Sequence, residues 1–291
     1  MLRSRIAAAV GVLAVGLTAV SVTTLVTVVD GAVRPSVAAA AGVPRPDHVV
    51  IAIFENHKYG SVINNPNAPY ITSLASQGAN FTQSFAITHP SQPNYLALYS
   101  GSTQGITNDS CPHTFSGGNL GQQLIVAGDT FTGYSESMPS DGYTGCISGR
   151  YARKHNPWVN FTNVPAASNV RFSTFPTNFA SLPTLSFVVP NLCNDMHDCS
   201  VKTGDTWARN HLDSYVQWAK THNSLLILTF DEDDSSGNNL IPTVFVGQGV
   251  TPGNYGEHID HYTVLRTLED MYGLAALGSA ASRTAITDIW A

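Results

Sequence analysis

The sequence predicts an α/β fold built on a mostly parallel sheet. Three short, nearly continuous apolar runs carry that prediction: His48 to Phe54, Thr184 to Val189 and Leu225 to Phe230. Runs of this length without polar alternation suit strands buried on both faces, as in a parallel sheet covered by helices. Segments of helical period stand between them, as parallel crossovers require. The three strand ends carry polar clusters: Glu55-Asn56, Asp195 with His197, and Asp231-Glu232. Open α/β sheets hold their ligands at the carboxyl ends of strands, so these clusters are the first candidates for chemistry.

The elements follow in order. Pro69 to Gln77 reads as a helix with Ile71, Leu74 and Ala75 on one face and Gly78 as its stop. Phe81 to Ile87 leads into Thr88-His89-Pro90-Ser91-Gln92-Pro93-Asn94-Tyr95, where two prolines bracket one hydroxyl. Pro93 can open a helix in which Leu96 and Tyr99 share a face. Ser91 then stands just ahead of a helix N-terminus, where free N–H groups and the macrodipole favour an anion. Asn94 can donate its amide to the same point. Hydroxyl and amide together suit attack on a phosphoryl or sulfuryl group; a Pro-flanked turn into a buried helix is the plainer alternative.

Asn119 to Ala127 is expected to be helical and Thr130 to Tyr134 extended. The stretch from 137 to 180, rich in Gly, Ser, Asn, Pro and aromatics, lacks periodicity and reads as long loops over the active face. It carries Arg150, Arg153, Lys154 and His155. Asp205 to Lys220 is an amphipathic helix whose Trp207, His211, Tyr215 and Trp218 read as core. Leu225 to Phe230 delivers four adjacent carboxylates, Asp231 to Asp234, which repel one another unless solvated or bound to a cation. The spacing is not that of an EF-hand, since Pro242 falls at the twelfth position. Pro242 to Val246 is a further strand, and Thr263 to Tyr272 closes as a helix stopped by Gly273. His48 and His222 read as packing or surface residues.

At 291 residues the chain can form one large α/β domain or two small ones. Only 12% of residues are charged and the net charge is −6, with scattered Lys and Arg, which excludes a nucleic-acid binder. Arg3 and Arg5 precede an uncharged run from Ile6 to Val29, and small residues follow at Ala38 to Ala41. This is the pattern of a signal peptide over 1–41, cleaved near Ala40 or Ala41; the run is also long enough to anchor in a membrane. Residues 42–291 would remain as a single secreted catalytic domain. Export makes the four cysteines candidates for disulfides. Cys193 and Cys199 are close enough to pair locally, leaving Cys111 with Cys146; zinc ligation is the rival reading, without a Cys-x-x-Cys spacing to support it.

Glu55, Asn56, Asp195, His197, Asp231 and Glu232, joined by Ser91 and His261, make the donor set of a metal-assisted hydrolase with a seryl nucleophile. The ordered motifs are Phe-Glu-Asn-His (54–57), His-Pro-Ser-Gln-Pro-Asn-Tyr (89–95), Lys-His-Asn-Pro (154–157), Pro-Asn-x-x-Asn-Asp-x-His (190–197), Gly-Asp-x-Trp (204–207), Thr-Phe-Asp-Glu (229–232) and Asp-His-Tyr-Thr-Val-Leu-Arg-Thr-Leu-Glu (260–269). Together they resemble the phospholipase C/acid phosphatase family of the alkaline-phosphatase-like superfamily. The resemblance implies a three-layer sandwich and a secreted acid phosphatase working through a phosphoseryl intermediate on Ser91. Phospholipase C-type diester hydrolysis and a non-catalytic exported metal-binding domain are the alternatives; a Cys-x-Pro-x-Arg motif for a sulfatase is absent.

The same resemblance implies one or two divalent metal ions. Glu55, Asn56, Asp231 and Glu232 would hold the first, Asp195 and His197 the second, with His261 facing the metal site. Asn94 would hold the phosphoryl oxygens; apart from the resemblance, Arg153 and Lys154 would bind substrate where the middle loops fold over the crevice, and His89 or His155 is the candidate to protonate the leaving alcohol. Small phosphorylated molecules and phosphoinositide head groups are the implied substrates, and no stable protein partner is implied.

Overall fold

The computed structural model describes residues 42–291, together with a short pairing of Val28–Val29 with Ala32–Val33. The expected signal peptide or anchor lies, apart from that pairing, outside the described residues. An eight-stranded sheet dominates. Its strands are β1 (His48–Phe54), β2 (Ala79–Phe81), β3 (Phe131–Ser135), β4 (Asn169–Arg171), β5 (Leu185–Val189), β6 (Ser224–Phe230), β7 (Thr243–Gly247) and β8 (Gly253–Tyr255), in the order β8-β2-β7-β6-β1-β5-β3-β4. Only β7 runs against the others, pairing antiparallel with β6 and β2. The three apolar runs therefore form the centre of the sheet: β6, β1 and β5 are parallel neighbours.

The central strands are buried apart from partly exposed His48, and alternate residues divide between two cores. Val49, Ile51 and Ile53 of β1, with Leu225 and Ile227 of β6, face one layer of helices: α2 (Ser91–Ser100), α3 (Leu120–Ala127) and α5 (His261–Tyr272). Val50, Ala52 and Phe54, with Leu226, Leu228 and Phe230, face the other: α1 (Pro69–Gln77) and α4 (Val201–Ala219). This is the expected α/β/α sandwich, and the two-residue period of a strand produces it.

Four helix starts differ from expectation: α3 begins at Leu120 because Asn119 is its cap, α5 begins at His261 because Asp260 caps it, and α2 and α4 shift as well. α2 begins at Ser91 rather than Pro93, with Pro90 as its N-cap residue. The first N–H groups of a helix have no intrahelical acceptor, so a proline at the third position removes no bond. α4 begins at Val201, because Ser200 caps it by accepting from the Thr203 N–H. Asp205 is thereby drawn into the helix, where its carboxylate accepts the N–H groups of Tyr70 (3.2 Å) and Ile71 (2.8 Å) at the start of α1. α1 is preceded by Ala68, which has no capping side chain, so α4 supplies its cap.

The stretch from 137 to 180 is irregular as expected, with short turns around the small strand β4. Both disulfides form as expected, Cys111–Cys146 and Cys193–Cys199. His48 and His222 pack on Trp218, at 5.9 and 4.5 Å between ring centroids. Trp207 and Tyr215 are core, whereas His211 on the same helix is exposed.

Candidate active site

The register of the central strands assembles the site. Phe54 of β1 pairs with Phe230 of β6, so the residues after them, Glu55 and Asp231, emerge side by side at the carboxyl edge. Asp231 N–H donates to the Phe54 carbonyl (3.0 Å) and Glu55 N–H to the Asp195 carbonyl (2.8 Å), which brings the loop after β5 to the same point. Asn56 adopts φ 55°, a left-handed conformation that asparagine tolerates, and its N–H donates to Asp231 Oδ1 at 3.0 Å.

Ser91, the first residue of α2, is buried among these acids. Its Oγ lies 3.0 Å from Glu55 Oε2 and 3.2 Å from Glu232 Oε1, so one hydroxyl proton is shared between two carboxyl groups. Tyr95, one helical turn on, donates its phenol to Glu55 Oε1 at 2.6 Å and stacks on His155 at 5.1 Å. His155 Nε2 is 3.1 Å from Glu55 Oε1 but off the hydrogen-bond direction, and its Nδ1 is 3.4 Å from Asp195 Oδ2. His197 Nδ1 meets Asp198 Oδ1 at 2.7 Å, which leaves Nε2 facing the ammonium of Lys154 at 3.3 Å. His89, at the rim, lies with Nδ1 2.7 Å from Glu232 Oε2 and Nε2 3.2 Å from Asp233 Oδ1.

Burial dominates the electrostatics. It pushes the Glu55 carboxyl up, and the charges of Asp231 and Asp195 push it further. Burial and Glu232 raise Asp231, burial raises Asp195, and burial lifts Glu232 to about 7. His155 is pulled down by burial and by the charges of Lys154 and His197. Burial lowers Lys154 too, but its hydrogen bond to Asp109 and the surrounding carboxylates outweigh this and hold it protonated. So many buried acids around one ammonium call for a further cation. The donor atoms fit one: Asp231 Oδ2, Asp195 Oδ2 and His155 Nε2 are buried with no hydrogen-bond partner among the described residues. Glu55, His155 and His197 offer ligand atoms within 4.8 Å of one another. Carboxylate oxygen and imidazole nitrogen suit a hard or borderline divalent ion.

Several expected residues take other places. Arg153 does not reach toward substrate: its guanidinium bonds Asn160 Oδ1 and the carbonyls of Thr144, His113 and Val159, holding the irregular loops together. His261 is buried at the head of α5 with Nε2 donating to the Asp231 carbonyl (2.7 Å), so that nitrogen orients the Asp231 turn and is not a free ligand. Asn94 braces the Ser91 turn: Oδ1 accepts from Ile87 and Thr88, and Nδ2 donates to the Thr88 carbonyl at 2.8 Å, with Glu232 Oε2 3.5 Å away. His155, expected as an acid, sits instead among the ligand atoms. The acidic run divides as well, since Asp231, Glu232 and Asp233 are buried while Asp234 turns outward to Lys58.

Sequence reasoning missed Tyr95, Asp109 and Glu136. Tyr95 was findable at four residues from Ser91, on the same helix face. Glu136 accepts from Asn191 N–H, Asn194 Nδ2 and Trp207 Nε1, clamping the disulfide loop that carries Asp195 and His197. A cavity of about 730 Å³ opens beside Glu136, between Phe172, Phe175 and His211, away from Ser91.

A seryl hydroxyl at a helix start, set among buried acids at the carboxyl edge of an α/β/α sheet, is the arrangement of a hydrolase, and the fold is one found in the alkaline phosphatase superfamily. The fold resembles that of a protein of that superfamily from Vibrio parahaemolyticus (TM-score 0.59, 14% identity, 85% of this chain and 72% of that one). It also resembles the phosphonate monoester hydrolase of Silicibacter pomeroyi (TM-score 0.55, 11% identity, 82% and 76%). Residues 54–275 match the model of the Phosphoesterase family, and the chain belongs to that family. It is 52% identical to the phosphatidylinositol-3-phosphatase of Mycobacterium tuberculosis over 98% of this chain and 94% of that protein. It is 31% identical to an acid phosphatase of Aspergillus fumigatus over 77% of this chain, and 35% identical to a phosphate-repressible acid phosphatase of Penicillium chrysogenum over 72%. The chain spans about half the length of those two fungal proteins. It is a phosphatase of this family.

Proposed function

We propose that this phosphatase hydrolyses phosphomonoesters through a phosphoseryl intermediate on Ser91, with phosphatidylinositol 3-phosphate among its substrates. The observation that carries this reading is the Ser91 hydroxyl between Glu55 and Glu232 at the N-terminus of a buried helix. The lipid substrate rests on the mycobacterial relative, which this chain matches over nearly its whole length. Glu55, Asn56, Asp231 and Glu232 would hold one divalent ion, and Asp195, His197 and His155 a second. Such ions, when bound, neutralise the buried acids and stabilise charge on the attacking and phosphoryl oxygens.

The chain's own residues do the rest. Glu232 Oε1, 3.2 Å from Oγ, takes the Ser91 proton as Oγ attacks phosphorus in line and the bond to the leaving alcohol breaks, the other Glu232 oxygen being the one left to hold an ion. Ser91 N–H and the α2 dipole stabilise the phosphoryl oxygens. His89, 37% exposed at the rim, is placed to protonate the alcohol. Buried His155 is not. Water then cleaves the phosphoserine, returning the hydroxyl. Tyr95, Asn94 and His261 hold Glu55, the Ser91 turn and Asp231 in place. We also read the protein as exported, supported by the apolar run from Ile6 to Val29 and the two disulfides.

The test is turnover of p-nitrophenyl phosphate by the wild type and by Ser91→Ala. Loss of roughly a thousandfold in kcat is expected with the fold retained by circular dichroism. Activity within tenfold of wild type would remove Ser91 as the nucleophile.

A further inference from the structure

Asp109 brings a carboxylate to the donors that an incoming phosphoryl group needs. It lies in the loop after α2. Its Oδ1 accepts the N–H of Gln92, the residue next to Ser91, at 3.0 Å, and its Oδ2 accepts Lys154 Nζ at 2.8 Å. The Gln92 side-chain amide donates to the carbonyls of Asn108 (3.3 Å) and Ser110 (2.8 Å), so both flanks of Asp109 are tied to the nucleophile's neighbour. Cys111–Cys146 closes the loop two residues later. The placement is therefore built into the fold. A helix-start N–H and an ammonium are the two donor types that bind phosphoryl oxygens. Here one carboxylate of the chain holds both. Asp109 and Lys154 keep 29% and 19% of their side chains exposed, so another anion can reach them.

Resting on Ser91 as the phosphoryl acceptor, we propose that Asp109 is a resident anion that substrate displaces from Lys154 and Gln92, and that it thereby sets how tightly the site holds a phosphoryl group. Displacement breaks two charge-assisted bonds. A monoester dianion returns two charges and three unsubstituted oxygens to the same donors. A diester returns one charge and two such oxygens, and must seat a second alcohol. The resident carboxylate therefore lowers the affinity for both esters alike, and the dianion, which returns more to the donors, still binds better. The same competition weakens binding of product phosphate, because the site is free of Asp109 for only a fraction of the time.

Asp109→Asn tests this, since the amide oxygen can still accept from Gln92 while the negative charge is gone. The readouts are the inhibition constant for inorganic phosphate and kcat/KM for p-nitrophenyl phosphate and bis(p-nitrophenyl) phosphate. The variant is expected to bind phosphate about fivefold tighter or more, and to raise kcat/KM for both esters. Unchanged or weaker phosphate binding would show that Asp109 only orients Lys154, and would overturn the proposal. Should the variant fail to fold, 15N-labelled wild type titrated with inorganic phosphate provides the second measurement. The Gln92 amide resonance must move as phosphate saturates, and a stationary resonance overturns the idea. A wild type that hydrolyses neither ester, or an active Ser91→Ala, would instead remove the underlying assignment of Ser91. Ester hydrolysis by the wild type together with unchanged phosphate binding in Asp109→Asn removes the role of Asp109 alone.

Discussion

Tyr95 shows at the scale of one residue how this site depends on groups that never touch substrate. Its phenol is the donor to Glu55 Oε1, deep in the core, and its ring seats His155. In Tyr95→Phe the ring remains and the hydroxyl is lost, leaving a buried carboxyl oxygen short of a partner. Such a loss costs about 1–3 kcal/mol, and removal of a support for a candidate metal ligand lowers activity roughly tenfold. Thermal melting and kcat measured together check this; an unchanged kcat would mean that Glu55 is held in place without the phenol. Ser91 itself was legible, because prolines and a helix start are local signals. His261 and Arg153 were legible only as polar groups in suggestive places. Their roles depend on a backbone carbonyl thirty residues away and on loop carbonyls brought together by folding. No spacing rule encodes those partners.

Elements were read more securely than their ends. The apolar runs of β1, β5 and β6 are buried throughout apart from partly exposed His48, so composition alone identified them. The start of α4 lies four residues ahead of its expected position because Ser200 caps the helix, and Asp205, inside it, serves α1. α5 carries a pH-dependent liability. Glu269 is fully buried, its Oε1 accepts the Leu277 N–H at 2.8 Å, and its Oε2 has no partner among the described residues. Burial pushes this carboxyl from its ordinary 4.5 up to about 8. A value raised in the fold means protonation favours the native state. The contribution is full below pH 4.5 and is lost as pH rises through about 8. Glu269→Gln, which stays neutral, is expected to melt a few degrees above the wild type at pH 9 and to show a flatter Tm profile. Superimposable profiles of the two proteins would refute it.

For the whole molecule, the cluster of buried acids links stability to a bound cation. Stripping divalent ions with a chelator is expected to abolish activity and lower Tm together, and re-adding one suitable ion to restore both. Full activity in protein shown metal-free by elemental analysis would refute this. The pairing of Phe54 with Phe230 has a consequence for how the chain tolerates change in length. It works as a ruler: the two strands must run out at the same mark for Glu55 and Asp231 to meet. Inserting one residue in either strand would offset the two acids by about 3.3 Å and turn one of them toward the opposite helical layer. The irregular stretch from 137 to 180 is under no such measure away from Lys154 and His155. Insertions and deletions compatible with catalysis belong there, and the central strands should admit substitutions but not changes of length.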